Sequence, residues 1–129
     1  MKSATRGNIL VVEDDQGVLD LVASILRAHA YAVLEAGCAQ DALMRCKHHA
    51  EPIDLLLTDL KLPDLNGLEL ARRFAVLRPG IRCLFMSGYP VDLESIPENR
   101  FLEKPFSIEV LMHAVKSALA PRGDRVQTG

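Results

Sequence analysis

Asp54-Leu55-Leu56-Leu57-Thr58-Asp59 is the most strand-like run in the chain. Three leucines and a β-branched threonine run without a polar break and then stop on an acid. A short run that is apolar on both of its alternating faces suits a strand covered on both sides, as in the middle of a parallel sheet. Pro63 and the Asn66-Gly67 pair then punctuate a loop.

Outward from this strand the same grammar repeats. Asn8-Ile9-Leu10-Val11-Val12 is a second continuous apolar strand, and Val18, Leu21, Val22 and Ile25 after it predict an amphipathic helix over 16–30. Tyr31 to Glu35 reads as a strand, and Ala42, Leu43 and Cys46 mark a helix over 39–49 with Asp41 suiting its dipole. Beyond the central strand, Leu68, Ala71, Phe74 and Ala75 predict a helix stopped by Pro79-Gly80. Ile81 to Met86 is a fourth strand, and Phe101-Leu102 a short fifth. Ser107 caps a last helix, with Ile108, Leu111, Met112, Val115 and Leu119 at helical spacing. Strands alternating with helices imply an α/β fold, a parallel sheet with helices on both faces.

The whole chain sets limits on function. Its 129 residues favour one domain, and 15 Lys plus Arg against 17 Asp plus Glu argue against direct nucleic-acid binding or an anionic membrane surface. No apolar run approaches the roughly 20 residues of a spanning helix, and the start lacks a secretory h-region, so a cytoplasmic location is expected. Cys38, Cys46 and Cys83 have no C-x-x-C spacing and read as plain thiols. Residues 1–7 are expected to be disordered, 8–120 to form the domain, and 121–129 to be a flexible tail.

Ligands of open α/β sheets bind beyond the carboxyl ends of the strands. This sequence places Glu13, Asp14 and Asp15 after strand one, Asp59 after strand three, Ser87-Gly88 after strand four and Lys104-Pro105 after strand five. Each piece alone has an ordinary reading as a cap or turn. Together they bring acids, a hydroxyl and an ammonium to one rim. Crowded carboxylates need a cation, and oxygen donors without a His or thiolate partner suit Mg²⁺. Metal, carboxylate and lysine are the parts phosphoryl transfer requires, and an Asp carboxylate is a competent covalent nucleophile for phosphate.

At these residues the chain resembles the receiver domain of bacterial two-component response regulators, a CheY-like module, over about Asn8 to Ala120. The resemblance rests on Ile9-Leu10-Val11-Val12-Glu13-Asp14, Leu57-Thr58-Asp59-Leu60-Lys61-Leu62-Pro63 with Gly67, Met86-Ser87-Gly88 and Lys104-Pro105-Phe106. It implies a doubly wound five-stranded sheet of order 2-1-3-4-5. It further implies that Asp59 takes a phosphoryl group from the phosphohistidine of a histidine kinase or a phosphotransfer domain. Asp14, Asp59 and the backbone carbonyl of Lys61 would ligate Mg²⁺, with Glu13 acting through water. Ser87 and Phe101 would be the switch residues and Lys104 the phosphoryl partner, although Phe101 reads equally as a core aromatic. Such a receiver is not an enzyme beyond its own phosphorylation and dephosphorylation, and its downstream protein is unnamed by the sequence.

Lys61 and Tyr89 flank the site and are expected to tune hydrolysis, in either direction. Pro63 and Gly67 would shape the loop, Asp15 would cap a helix, and Asp64 reads as solvated. Between Ser87 and Lys104 the chain is shorter than usual for the family, and Pro97 interrupts it, so the fourth helix is expected to be short or missing. That surface often carries output, so this chain's output is expected to differ. With no output domain after the last helix, the expectation is a stand-alone receiver or the receiver of a hybrid histidine kinase. A haloacid-dehalogenase-like phosphatase would also use a strand-end Asp with Mg²⁺, but it wants a second Asp where Lys61 stands. A degenerate receiver that only docks is opposed by intact Asp14, Asp59, Ser87 and Lys104.

Overall fold

The computed structural model describes residues 6–88, 96 and 100–121. Its elements run β1 (Asn8–Val12), α1 (Gln16–Ala28), β2 (Ala32–Ala36), α2 (Ala39–His48), β3 (Leu55–Asp59), α3 (Gly67–Leu77), β4 (Arg82–Ser87), β5 (Phe101–Glu103) and α4 (Ile108–Leu119). The strands form one sheet of order β2-β1-β3-β4-β5, and every pair is parallel. The alternation of strands and helices predicted a parallel sheet with helices on both faces, and the doubly wound order is the one the resemblance implied. The expected short or missing fourth helix and Tyr89 lie outside the described residues, as do residues 1–5 and 122–129 of the expected terminal segments.

The period of two along each strand builds two cores. Ile9, Val11, Leu55, Leu57, Leu84 and Met86 face α1 and α4, where Leu19, Val22, Leu26, Leu111 and Val115 cover them. Leu10, Val12, Leu56, Cys83 and Phe85 face the other way, onto Ala42 and Cys46 of α2 and Leu70 and Phe74 of α3. Every residue of β3 is buried, which is the condition an unbroken apolar run requires.

Helix α1 stops two residues sooner than its apolar spacing suggests. Ala30 has φ 74°, and the Ala30 and Tyr31 amides donate to the carbonyls of Arg27 and Leu26 at 3.0 and 3.1 Å. That is a Schellman closure with alanine where glycine is usual. Ala30→Gly is therefore expected to raise unfolding stability by about 1 kcal/mol, since it removes the Cβ clash of the left-handed region. A urea titration that shows no gain would refute this.

Candidate functional site

Parallel order 2-1-3-4-5 reverses winding between β1 and β3, and a crevice forms where neighbouring connections leave in opposite directions. Glu13 follows the last residue of β1, and its amide still pairs with the carbonyl of Ala36 at 3.0 Å, which carries it into the core at 1% exposure. Asp59 ends β3 at 7% exposure, fixed from behind by the Leu60 amide on the Met86 carbonyl. Asp14, one residue on from Glu13, is exposed at the rim. Lys104 is held beside β4 by its amide, which donates to the Ser87 carbonyl at 2.8 Å, and its bond to Pro105 is cis.

These placements bring Glu13, Asp59 and Lys104 together, with Asp14 at the rim. Lys104 Nζ donates to Asp59 Oδ2 at 2.9 Å and to Glu13 Oε1. Asp59 Oδ1 accepts from the Lys61 amide at 3.1 Å, and Glu13 Oε2 from the Asp15 amide at 3.1 Å. One carboxylate oxygen from each of Glu13, Asp14 and Asp59 lies within 4.8 Å of the others. The open crevice, about 590 Å³, is lined by these acids with Lys61, Gly88 and Lys104. Ser87 is buried at the end of β4, and Phe101 is half-buried beside Phe85 in the sheet register. Asp15 caps α1 by accepting from the Val18 amide, as its position suggested.

Crevice size does not mark the site. A larger one, about 690 Å³, lies at the opposite edge of the sheet between Arg6, Asp54, Arg78 and Arg82. There the Arg78 guanidinium is engaged by the carbonyls of Cys46, His49 and Glu51.

Glu13, Asp14 and Asp59 crowd carboxylates at the rim, and Lys104 is paired to two of them. Burial raises the Glu13 carboxyl above its ordinary value, helped by the nearby Asp59 charge and opposed by Lys104 and the Asp15 amide. Burial works to lower Lys104, but its hydrogen bonds to Glu13 and Asp59 outweigh it and the net shift is upward. The stabilisation from the Lys104 ammonium is thus complete below the ordinary lysine range and is lost as pH rises through its higher value in the fold. The donors at the rim are carboxylate oxygens, and Lys61 lines the same wall. That chemistry fits a hard cation such as Mg²⁺. Both oxygens of Glu13 already accept hydrogen bonds, as do both of Asp59, and Asp14 is the exposed donor of the three.

One residue reads differently in three dimensions. Asp64 is not simply solvated: its Oδ1 and Oδ2 accept from the Ala39 and Gln40 amides at 3.0 and 2.9 Å. A sequence signal existed. Helix α2 begins after Gly37-Cys38, with only a thiol at its cap. A helix start without Ser, Thr, Asp or Asn leaves amide donors to be met from elsewhere in the fold.

Comparison with known proteins points the same way. The family model of the response regulator receiver domain matches residues 9–116. Response regulator receiver protein CpdR of Brucella abortus is 29% identical over 116 residues, covering 86% of this chain and 95% of the relative. Sporulation initiation phosphotransferase F of Bacillus subtilis is 32% identical over 117 residues, covering 86% and 92%. The crystal structure of the receiver domain from hybrid histidine kinase CckA superposes with a TM-score of 0.76 at 35% identity, covering 88% of this chain and 100% of that one.

Proposed function

The chain belongs to the response regulator receiver family, and from that premise we propose that it accepts a phosphoryl group on Asp59 and signals by the change of shape that follows. The observation that carries this reading is the meeting of Asp59, Glu13 and Lys104, with Asp14 at the rim, in one crevice at the β1/β3 switch point. An Asp59 carboxylate oxygen attacks the phosphorus of a phosphohistidine. The P–N bond breaks, and the imidazole nitrogen keeps the electron pair and takes up a proton. Asp14, Asp59 and the Lys61 carbonyl would hold Mg²⁺, with Glu13 acting through water, and the bound ion would neutralise charge on the phosphoryl oxygens.

Lys104 is already aimed at an Asp59 oxygen, so it reaches a phosphoryl oxygen after a small movement. The new acceptor draws the Ser87 hydroxyl inward and biases the end of β4, with Phe101 on the neighbouring strand as follower. A differential of about 5 kcal/mol between the two shapes is enough to turn such a switch over.

In this reading the domain is 8–120, the location is the cytoplasm, and the donor is a histidine kinase or phosphotransfer domain. The work is signalling by docking or onward phosphotransfer, and the only catalysis is the domain's own phosphorylation and dephosphorylation. Similarity to the CckA receiver and to a phosphotransferase supports a phosphorelay, as a stand-alone receiver or part of a hybrid kinase.

Incubation with acetyl phosphate and Mg²⁺, followed by intact mass, tests the reading: a gain of one phosphoryl that disappears with chelator supports it, and no gain sinks it. Turnover of a phosphomonoester would favour the phosphatase. Lys104→Ala is expected to keep the gain while losing the phosphorylation-dependent shifts of the Ser87 and Phe101 amide resonances. If those shifts persist at parental size, Lys104 does not couple phosphate to shape.

A further inference from the structure

The loop between β3 and α3 carries Lys61, whose carbonyl the proposed function assigns to the metal, and both its ends are tied down. At one end the Leu60 amide bonds to Met86 and the Lys61 amide to Asp59. At the other the Gly67 amide bonds back to the Leu60 carbonyl, and Asn66 caps α3 through the Glu69 amide at 2.8 Å. Between them, Leu62 is buried in the core, and Asp64 reaches across to α2 with both carboxylate oxygens. Those two bonds join residues 24 and 25 positions apart in the chain.

We infer that Asp64 is a positioning residue for the metal loop: it straps the loop to the first turn of α2, holds the Lys61 carbonyl in place, and makes that helix turn move with site occupancy. This rests on the reading of Lys61 as a metal ligand.

Two observations and the helix dipole support the strap. Helix α2 has only the Cys38 sulfur as its own cap, at 3.5 Å from the Asp41 amide, so the Asp64 carboxylate supplies what the helix start lacks. A carboxylate there is also favoured by the helix dipole, which a neutral side chain would not exploit as well. The two amide bonds hold the Asp64 carboxyl below the ordinary carboxylate range, so the strap is charged at neutral pH. Groups hydrogen-bonded directly to a metal ligand commonly matter by about 10- to 100-fold in affinity. Asp64 is exposed and acts on Lys61 only through the intervening backbone, so an effect no larger than the lower end is expected.

The test is Mg²⁺ calorimetry on the full chain. Asp64→Ala is expected to weaken Mg²⁺ binding about tenfold, and Asp64→Asn, whose amide oxygen can still accept one of the two amides, to recover part of it. A strap with a merely structural role would lower the unfolding midpoint and leave the Mg²⁺ affinity unchanged, which would overturn the inference. If Asp64→Ala does not fold, the parent decides: Mg²⁺ should shift the Ala39 and Gln40 amide resonances, and stationary resonances would overturn it. If the parent neither binds Mg²⁺ nor gains a phosphoryl, the proposed function falls and the strap with it. If the parent does both while Asp64→Ala matches it, the strap alone falls.

Discussion

Asp59→Asn is expected to abolish the phosphoryl gain from acetyl phosphate and Mg²⁺. The amide keeps the volume and the strand-end position but lacks the anionic oxygen that attacks phosphorus, so the loss should be complete rather than partial. Folding should survive. The substitution removes one of three crowded carboxylates, while Lys104 keeps its bond to Glu13, and stability should stay within about 1 kcal/mol of the parent. The measurement is intact mass after timed incubation, with a urea titration of both proteins. A phosphoryl gain in the variant at the parental rate would mean that another group, Asp14 being the nearest exposed carboxylate, is the acceptor. Unfolding of the variant would instead mean that the Asp59–Lys104 bond is structural.

Gly67→Ala should injure both stability and phosphorylation. A Cβ built at Gly67 would lie 2.5 Å from the Asp59 carbonyl oxygen and 3.0 Å from the Leu60 Cα, and both are backbone atoms with no rotamer to yield. Either the start of α3 moves away or the end of β3 is pushed. Forced overpacking of this kind costs about 1–3 kcal/mol, and the upper half is expected because nothing flexible can absorb it. A pushed β3 also shifts the Asp59 carboxylate, and displacements of that order cost about 10- to 100-fold in rate when geometry limits the reaction. Denaturant unfolding and the initial rate of phosphoryl gain check the two effects separately. A variant with parental stability and rate would show that the loop adapts. Gly80→Ala is the natural control: among the described residues nothing lies within 4 Å of a Cβ there, although its φ of 87° carries a local backbone cost away from the site.

Which residues gather at the carboxyl edge is already written in the order of apolar runs and acids along the chain. Unbroken apolar runs at Ile9–Val12 and Leu55–Thr58 dictate strands buried on both faces, and each run ends on acids. Alternation with helices dictates a parallel sheet, and a parallel sheet sends every strand's carboxyl end to one rim. Glu13, Asp59, Ser87 and Lys104 follow from that logic with no coordinates. The caps at Asp15 and Ser107 were legible for a related reason: a cap bonds within three residues of itself, so its partner is fixed locally.

The remaining features depend on contacts between segments far apart in the chain or on backbone angles that apolar spacing does not encode. The end of α1 needed the backbone angle at Ala30, which apolar spacing does not encode. Gly67 reads as a turn residue beside Asn66, yet it is the first residue of α3, and the Asp59 backbone on the neighbouring strand end is what demands the missing Cβ. Asp64 reads as solvated because its partners, Ala39 and Gln40, are near only after α2 and α3 have packed side by side. Lys104 was expected at the rim, but that it bridges Glu13 and Asp59 at once depends on Lys104 being held at the end of β4 by Ser87. Periodicity specifies which face and which edge a residue occupies; which atoms touch across that edge is set by packing between elements distant in sequence.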